Sequence, residues 1–280
     1  MTGVILSLFA ALFYGAADFC GGLATKRGSI FAVTVLSQGS GLALLLMLLV
    51  FFPAHASAAD LAWGGVAGLC GGIGIALLYH ALSIGKMGVV SPITAVLAAA
   101  VPLAAGIIRG DRITVTQFVG IAIALVAIVL ISVSFEEGGT REISTDGVKE
   151  AIAAGVIIGG FLLFISFSSH AAGLTSLAAA RFASMGILTL IALVARASLQ
   201  PPPGMLGLVL FTGVIDMTAN ALYVLATYNG YLSIAAVITS LYPASTVFLA
   251  RVVLNERLML SQKFGVGLAL AGVALIAFRS

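Results

Sequence analysis

GDRITVTQFVGIAIALVAIVLISVSF, residues 110–135, is a polar break followed by one apolar run. Gly110-Asp111-Arg112 interrupts the chain, and almost everything after Gln117 is apolar as far as Ile131. A helix rises 1.5 Å per residue, so roughly 20 such residues cross a ~30 Å hydrocarbon layer. A strand would alternate apolar and polar, and this stretch does not. NERLMLSQKFGVGLALAGVALIAF, residues 255–278, repeats the phrase 145 positions later. Asp111 falls on Glu256, Arg112 on Arg257, Gln117 on Gln262 and Gly120 on Gly265. At the same offset Gly28 falls on Gly173 and Gly85 on Gly230.

Outward from these two stretches the rest of the chain reads the same way. Hydrophobic residues make up 61% of it and charged residues 8%, with a mean hydropathy of +1.21. A soluble protein averages about 25% charged residues, enough to solvate its surface. This chain cannot do so, and its surface must face lipid. Ten apolar segments are expected to span: 3–23, 30–52, 61–84, 88–108, 114–133, 149–170, 174–196, 204–229, 232–251 and 261–278. Because only helices and closed barrels satisfy backbone polar groups in lipid, the fold class is an all-α integral membrane protein. The first segment lacks a basic leader, carries Asp18 and runs straight into further spans, so it reads as a retained helix.

The polar stretch from Glu136 to Glu150 holds five of the ten acidic residues and divides the chain in half. The expected organisation is a five-helix unit over 1–135, a polar linker over 136–148 and a second five-helix unit over 149–280. An odd number of spans per unit forces the two to cross the membrane in opposite senses. Such inverted repeats commonly hold their substrate between the halves, around a central cavity near the midplane. The glycine stripes Gly64, Gly68, Gly72 and Gly155, Gly159 read as close helix packing.

Ionisable and polar side chains inside a bilayer are costly, so each of the few here is a candidate. Tyr14 and Asp18 share a face of the first span. Asp18 either meets a substrate cation or proton, or pairs with Lys26 or Arg27. Asp216, Asn220, Tyr223 and Thr227 form a stripe at spacings of four, three and four in span eight. Arg181 is the natural partner for Asp216, as a structural ion pair or as part of a binding site. Asn220 and Tyr223 are ligand candidates. Tyr79 and His80 close the third span, where His80 either binds or titrates, or caps a helix end. Ser91 beside Pro92, and Thr239 and Tyr242 before Pro243, sit where proline frees carbonyls to line a cavity or merely bends the helix. Gln38 is a weaker candidate of the same kind. Trp63 and Phe51 read as belt residues at the membrane surface.

No zinc-binding His-Glu-x-x-His, nucleophile elbow or phosphate-gripping loop occurs. Cys20 and Cys70 lie in apolar runs without disulfide or metal spacing. Catalytic residues, a metal and cofactors are therefore not expected, and the net charge of +3 is too scattered for a nucleic-acid surface. The expected partners are the lipid bilayer and a small-molecule substrate, for a monomer or weak homodimer. An intramembrane enzyme is the alternative from another class.

Gly110-Asp111-Arg112-Ile113-Thr114-x-x-Gln117-x-x-Gly120 and Glu256-Arg257-Leu258-x-x-x-Gln262-x-x-Gly265 resemble a duplicated signature of the drug/metabolite transporter superfamily, EamA type. The resemblance covers the whole chain, with Asp111 where glutamate is usual. It implies that these acids cap the following helix or pair with Arg112 and Arg257. It also implies a bacterial inner-membrane secondary transporter, most similar to exporters of amino acids, including aromatic ones. A multidrug exporter of lipophilic cations is the alternative within transport. With only Arg181 well inside a span, a phosphorylated substrate is disfavoured. For a zwitterion, His80 or a helix N-terminus would meet the carboxylate, and Asp18 or tyrosine hydroxyls the ammonium. Orientation stays open: loops on the side of the termini carry three basic residues against nine opposite. The charge rule then places the termini outside, and the resemblance implies inside.

Overall fold

A computed structural model describes residues 1–51, 54–85, 87–132, 147–254 and 260–277. Most of the expected linker over 136–148, and Asn255 to Met259 of the second signature, lie outside the described residues. Among the described residues the chain is helical, without strands. The order is α1 (Thr2–Thr25), α2 (Ile30–Phe51), α3 (Ala58–Ile84), α4 (Met87–Ile108), α5 (Val115–Ser132), α6 (Val148–Ile165), α7 (Thr175–Val194), α8 (Leu206–Tyr228), α9 (Leu232–Thr239), α10 (Pro243–Leu254) and α11 (Leu260–Ala277). Six of these, α1, α2, α3, α6, α7 and α8, are long and apolar enough to cross a bilayer. Shorter apolar helical stretches run over Ile93–Ile108, Val115–Ala127 and Leu232–Thr246. Large apolar side chains such as Phe9, Val50, Ile108, Val115 and Val194 point outward, as a lipid-facing exterior requires.

Two expected spans take a different shape. The ninth does not run unbroken from 232 to 251 but splits into α9 and α10 around Ser240-Leu241-Tyr242. Pro243 has no N–H to give to Thr239, and its ring crowds that carbonyl. Tightened bonds replace the regular ladder: Leu241 N–H donates to Ile238 O at 3.1 Å and Tyr242 N–H to Thr239 O at 3.2 Å. The sixth span ends at Ile165 instead of continuing to 170. There the Ser166 hydroxyl donates to Leu163 O at 2.6 Å, and a short 3-10 turn over His170–Ala172 follows.

The first signature folds into two caps with different jobs. Gly110 has φ +99°, a left-handed conformation that glycine adopts without a Cβ penalty. It ends α4 with Asp111 N–H reaching back to Gly106 O at 3.0 Å and Gly110 N–H to Ile107 O at 3.1 Å. Thr114 and Gln117 then cap α5 reciprocally, Thr114 N–H donating to Gln117 Oε1 at 3.0 Å and Gln117 N–H to Thr114 Oγ1 at 3.3 Å. Asp111 caps no helix of its own neighbourhood. Its Oδ2 accepts from Ser233 N–H at 3.0 Å and Ser233 Oγ at 2.6 Å, so it caps α9 in the other half. Capping by Thr114 and Gln117 leaves the acid free for that longer reach.

Helix neighbours come in matching sets. α1 packs on α8 and α6 on α3; α3 packs on α7 and α8 on α2; α4 packs on α6, and α9 with α10 on α1; α5 packs on α11. Small residues permit these contacts. A Cβ at Gly68 would strike Ala180 O of α7, and one at Gly213 would strike Ser37 O of α2. Gly272 of α11 sits 2.9 Å, measured to its would-be Cβ, from Gly120 O of α5. The glycines thus let backbones touch where larger residues would hold helices apart.

Candidate substrate cavity

A cavity lies at the centre of the bundle, with α1, α2, α3, α4, α6, α7, α8 and the α9–α10 break around it. It leaves about 80 Å³ open to the centres of water-sized spheres. One water needs ~10–15 Å³ on that measure, so the space holds roughly five to eight waters, about the bulk of a small organic molecule. Its walls are unlike. One is polar: Tyr14 and Asp18, Gln38, Arg181, Asp216 and Asn220, and Thr239, Ser240 and Tyr242. The other is mainly apolar, including Ile75, Leu78, Ile158 and Phe161.

Arg181 organises the polar wall from α7. Its Nη2 pairs with Asp216 Oδ2 at 2.5 Å, its Nη1 donates to Gln38 Oε1, and its Nε points at Met217 Sδ at 3.4 Å. Asn220, one turn along α8, donates from Nδ2 to Asp216 O at 2.7 Å and to Asp216 Oδ2 at 3.2 Å. The guanidinium is thus held on three sides at 6% exposure, which is how a buried cation becomes tolerable. Gln38, Arg181, Asp216 and Asn220 form one connected unit across α2, α7 and α8.

Asp18 differs. It is 7% exposed and lines the cavity, yet it makes no hydrogen bond or ion pair among the described residues. Lys26 and Arg27 are exposed beyond the end of its helix. In the same lining, Tyr14 Oη, Thr239 Oγ1, Ser240 Oγ and Tyr242 Oη are buried without a partner among the described residues. Buried polar groups are normally satisfied, so a cluster of unsatisfied ones on one cavity wall points to something they would hold.

Eight of the twelve polar candidates named from the sequence thus line one cavity: Tyr14, Asp18, Gln38, Arg181, Asp216, Asn220, Thr239 and Tyr242. Four lie elsewhere. Tyr223 is fully buried and donates from Oη to Leu162 O at 3.0 Å, tying α8 to α6. Tyr79 is buried with its ring laid over Gly21 of α1. Ser91 is buried in α4 with an unpartnered hydroxyl, outside the cavity lining. His80 lines a separate, outward apolar groove with Ile30, Phe31, Leu188 and Ile191. Ser240, beside Thr239 in the polar stretch before Pro243, also lines the cavity, and so does Ser184, which the sequence reading did not single out. Ser184 stands three residues after Arg181, on the same helix face, and that spacing is the signal for it.

On the face of the bundle that carries the N-terminus, contacts join α3, α8 and the α6–α7 connection. Ser57 opens α3 with a capping box to Asp60. Asp60 then also accepts from Ser169, in the α6–α7 connection, through Oδ1 from its N–H at 2.7 Å and through Oδ2 from its hydroxyl at 3.1 Å. Tyr228, at the end of α8, donates to Ser169 O at 2.9 Å and stacks on His170 at 4.2 Å. Trp63 packs on Phe164 and Phe167, and Arg109 sits 4.6 Å over the Phe167 ring.

An apolar helical shell thus encloses a pocket lined in part by polar side chains. The EamA-like transporter family matches over residues 1–133 and again over 147–278, and the chain belongs to that family. A curated relative is an uncharacterised protein of Methanocaldococcus jannaschii, 27% identical over 134 residues. That match covers 98% of the relative and 48% of this chain, so the relative is the size of one half. A crystal structure at 16% sequence identity superposes over 99% of both chains with a TM-score of 0.76, which shows a shared fold. The protein is a multi-pass membrane transporter by family, in a lipid environment and with a small-molecule substrate.

Proposed function

We propose that the chain is a secondary transporter that exports amino acids or related small metabolites by alternating access. The observation that carries this reading is the central cavity, with a polar wall of unsatisfied hydroxyls and an unpaired acid inside an apolar bundle. On this reading ten spans form two opposed five-helix repeats, 1–135 and 149–280, joined by the linker and set in a bacterial inner membrane. Matching helix neighbours in the two halves, two family matches and a relative of half the length support the repeat. So do Gly68 and Gly213, which lie 145 positions apart and make the same kind of backbone contact with the second helix of the opposite half. Rocking of one half against the other would expose the cavity to each side in turn. The hydrogen bonds of Asp60 to Ser169 and of Asp111 to Ser233 join the halves on one face and would break in that motion.

A second reading, export of lipophilic cations, is favoured by one observation: Asp18 has no partner among the described residues. The test for both is flux in liposomes holding the purified protein, over a panel of labelled amino acids and organic cations, with and without a pH gradient. Saturable flux of one class selects between them, and no flux of either removes the transport reading.

A further inference from the structure

The cavity's charge is uneven in a way that names its ligand more narrowly. Among the described residues its lining carries two acids, Asp18 and Asp216, one base, Arg181, and no other charged residue. Arg181 and Asp216 neutralise one another, so the formal charge left over is Asp18's. A carboxylate in the substrate would look for a cation or free N–H groups. Three of the five Arg181 N–H donors already point at protein acceptors, Asp216, Gln38 and Met217, and its charge is balanced by Asp216. His80, the other candidate for a carboxylate, faces the separate outer groove. The α10 N-terminus at the cavity offers no cradle either. Pro243 has no N–H, and those of Ala244, Ser245 and Thr246 donate to Leu241 and Tyr242 carbonyls at 3.0 to 3.2 Å.

An ammonium group meets the opposite situation. Its three N–H donors need a carboxylate and one or two neutral oxygens. Asp18 supplies the first, and the unpartnered hydroxyls of Tyr14, Thr239, Ser240 and Tyr242 supply the second. The facing wall of Ile75, Leu78 and Phe161 fits an apolar body. We propose that Asp18 and these hydroxyls form an ammonium subsite, and that the cavity takes amines with an apolar body and no free carboxylate. This rests on the transport reading and selects, among its related small metabolites, amines without a carboxylate, so free amino acids are excluded.

The test is equilibrium binding to the purified full-length protein in detergent, with four ligands of one body: phenylethylamine, phenylalanine amide, phenylalanine and phenylpropionate. The expected order has the amine and the amide at least tenfold tighter than the zwitterion, and the acid without measurable binding. Asp18→Asn is expected to lower amine affinity at least tenfold. Asp18→Glu, which keeps the charge, should preserve the preference for phenylethylamine over its alcohol. Phenylalanine bound as tightly as its amide would overturn the proposal, as would unchanged amine affinity in Asp18→Asn or no binding of the amine. The wild-type order decides the matter even where a variant does not fold. Liposomes that show no flux while this order holds would remove the transport reading and leave the subsite standing.

Discussion

The Asp60 carboxylate accepts two hydrogen bonds from Ser169, at 2.7 Å from its N–H and 3.1 Å from its hydroxyl, across 109 residues of chain. The same carboxylate closes the capping box of α3, so one acid both starts a helix and fastens it to the α6–α7 connection. Hydrogen bonds to a charged group are stronger than those between neutral groups. Asp60→Ala is therefore expected to loosen the face that carries the N-terminus. A cysteine at Ser184, with Cys20 and Cys70 replaced by alanine, should react with a maleimide applied on that face about tenfold faster in the Asp60→Ala background. An unchanged rate would mean that the Asp60–Ser169 contact does not close this face.

Arg181 and Asp216 should behave as a unit. Removing one partner of a buried pair leaves an uncompensated charge and costs ~3–5 kcal/mol, while removing both is often neutral. Arg181→Met is expected to lower the thermal unfolding temperature in detergent sharply, and Arg181→Met with Asp216→Leu to restore most of it. A double variant less stable than either single one would show that the pair does more than neutralise itself.

Two tyrosines distinguish packing from ligand contact. Tyr223 Oη is spent on Leu162 O, whereas Tyr242 Oη has no partner among the described residues. Tyr223→Phe should cost ~0.5–1.5 kcal/mol of stability with substrate affinity unchanged. Tyr242→Phe should leave stability alone and weaken binding several-fold. Thermal unfolding and ligand titration on the same samples would check both halves of this contrast, and the reverse pattern would contradict the site.

The backbone contacts at Gly68 and Gly213 make a matched pair of predictions. Each substitution by alanine drives a Cβ into a carbonyl oxygen of a packed helix, and overpacking costs ~1–3 kcal/mol. Both variants should lose stability by similar amounts in detergent unfolding. Loss at one position only would show that the two contacts are not equivalent.

Much of this was readable in advance, for identifiable reasons. Long apolar runs fix helices in lipid, and costly ions such as Arg181 and Asp216 must find one another there. The α8 stripe from Asp216 to Asn220 was legible because spacing determines a helix face. Tyr223 shares that face and still misses the cavity, because the distance between α8 and α6 decides whether its hydroxyl reaches Leu162. His80 could not be placed, since α3 is apolar all round and its periodicity marks no inward side. The Asp60 fastening stayed hidden behind the local capping pattern of Ser57 and Asp60, which accounts for the acid without a second use. The break of the ninth span was half visible in Pro243, but a proline alone does not say whether a helix bends or parts.

The lining of the cavity ignores the repetition of the frame. At the offset that carries Gly68 onto Gly213, Asp18 meets Leu163, Asp216 meets Gly71 and Arg181 meets Leu36. Two separate half-length chains, identical to each other, would surround a pocket that looks the same from both sides and would offer a lone cation two equal seats. In this single chain the two positions differ, Asp18 standing where the matching position holds Leu163. On the proposed site a bound amine would therefore have a single seat for its charged end.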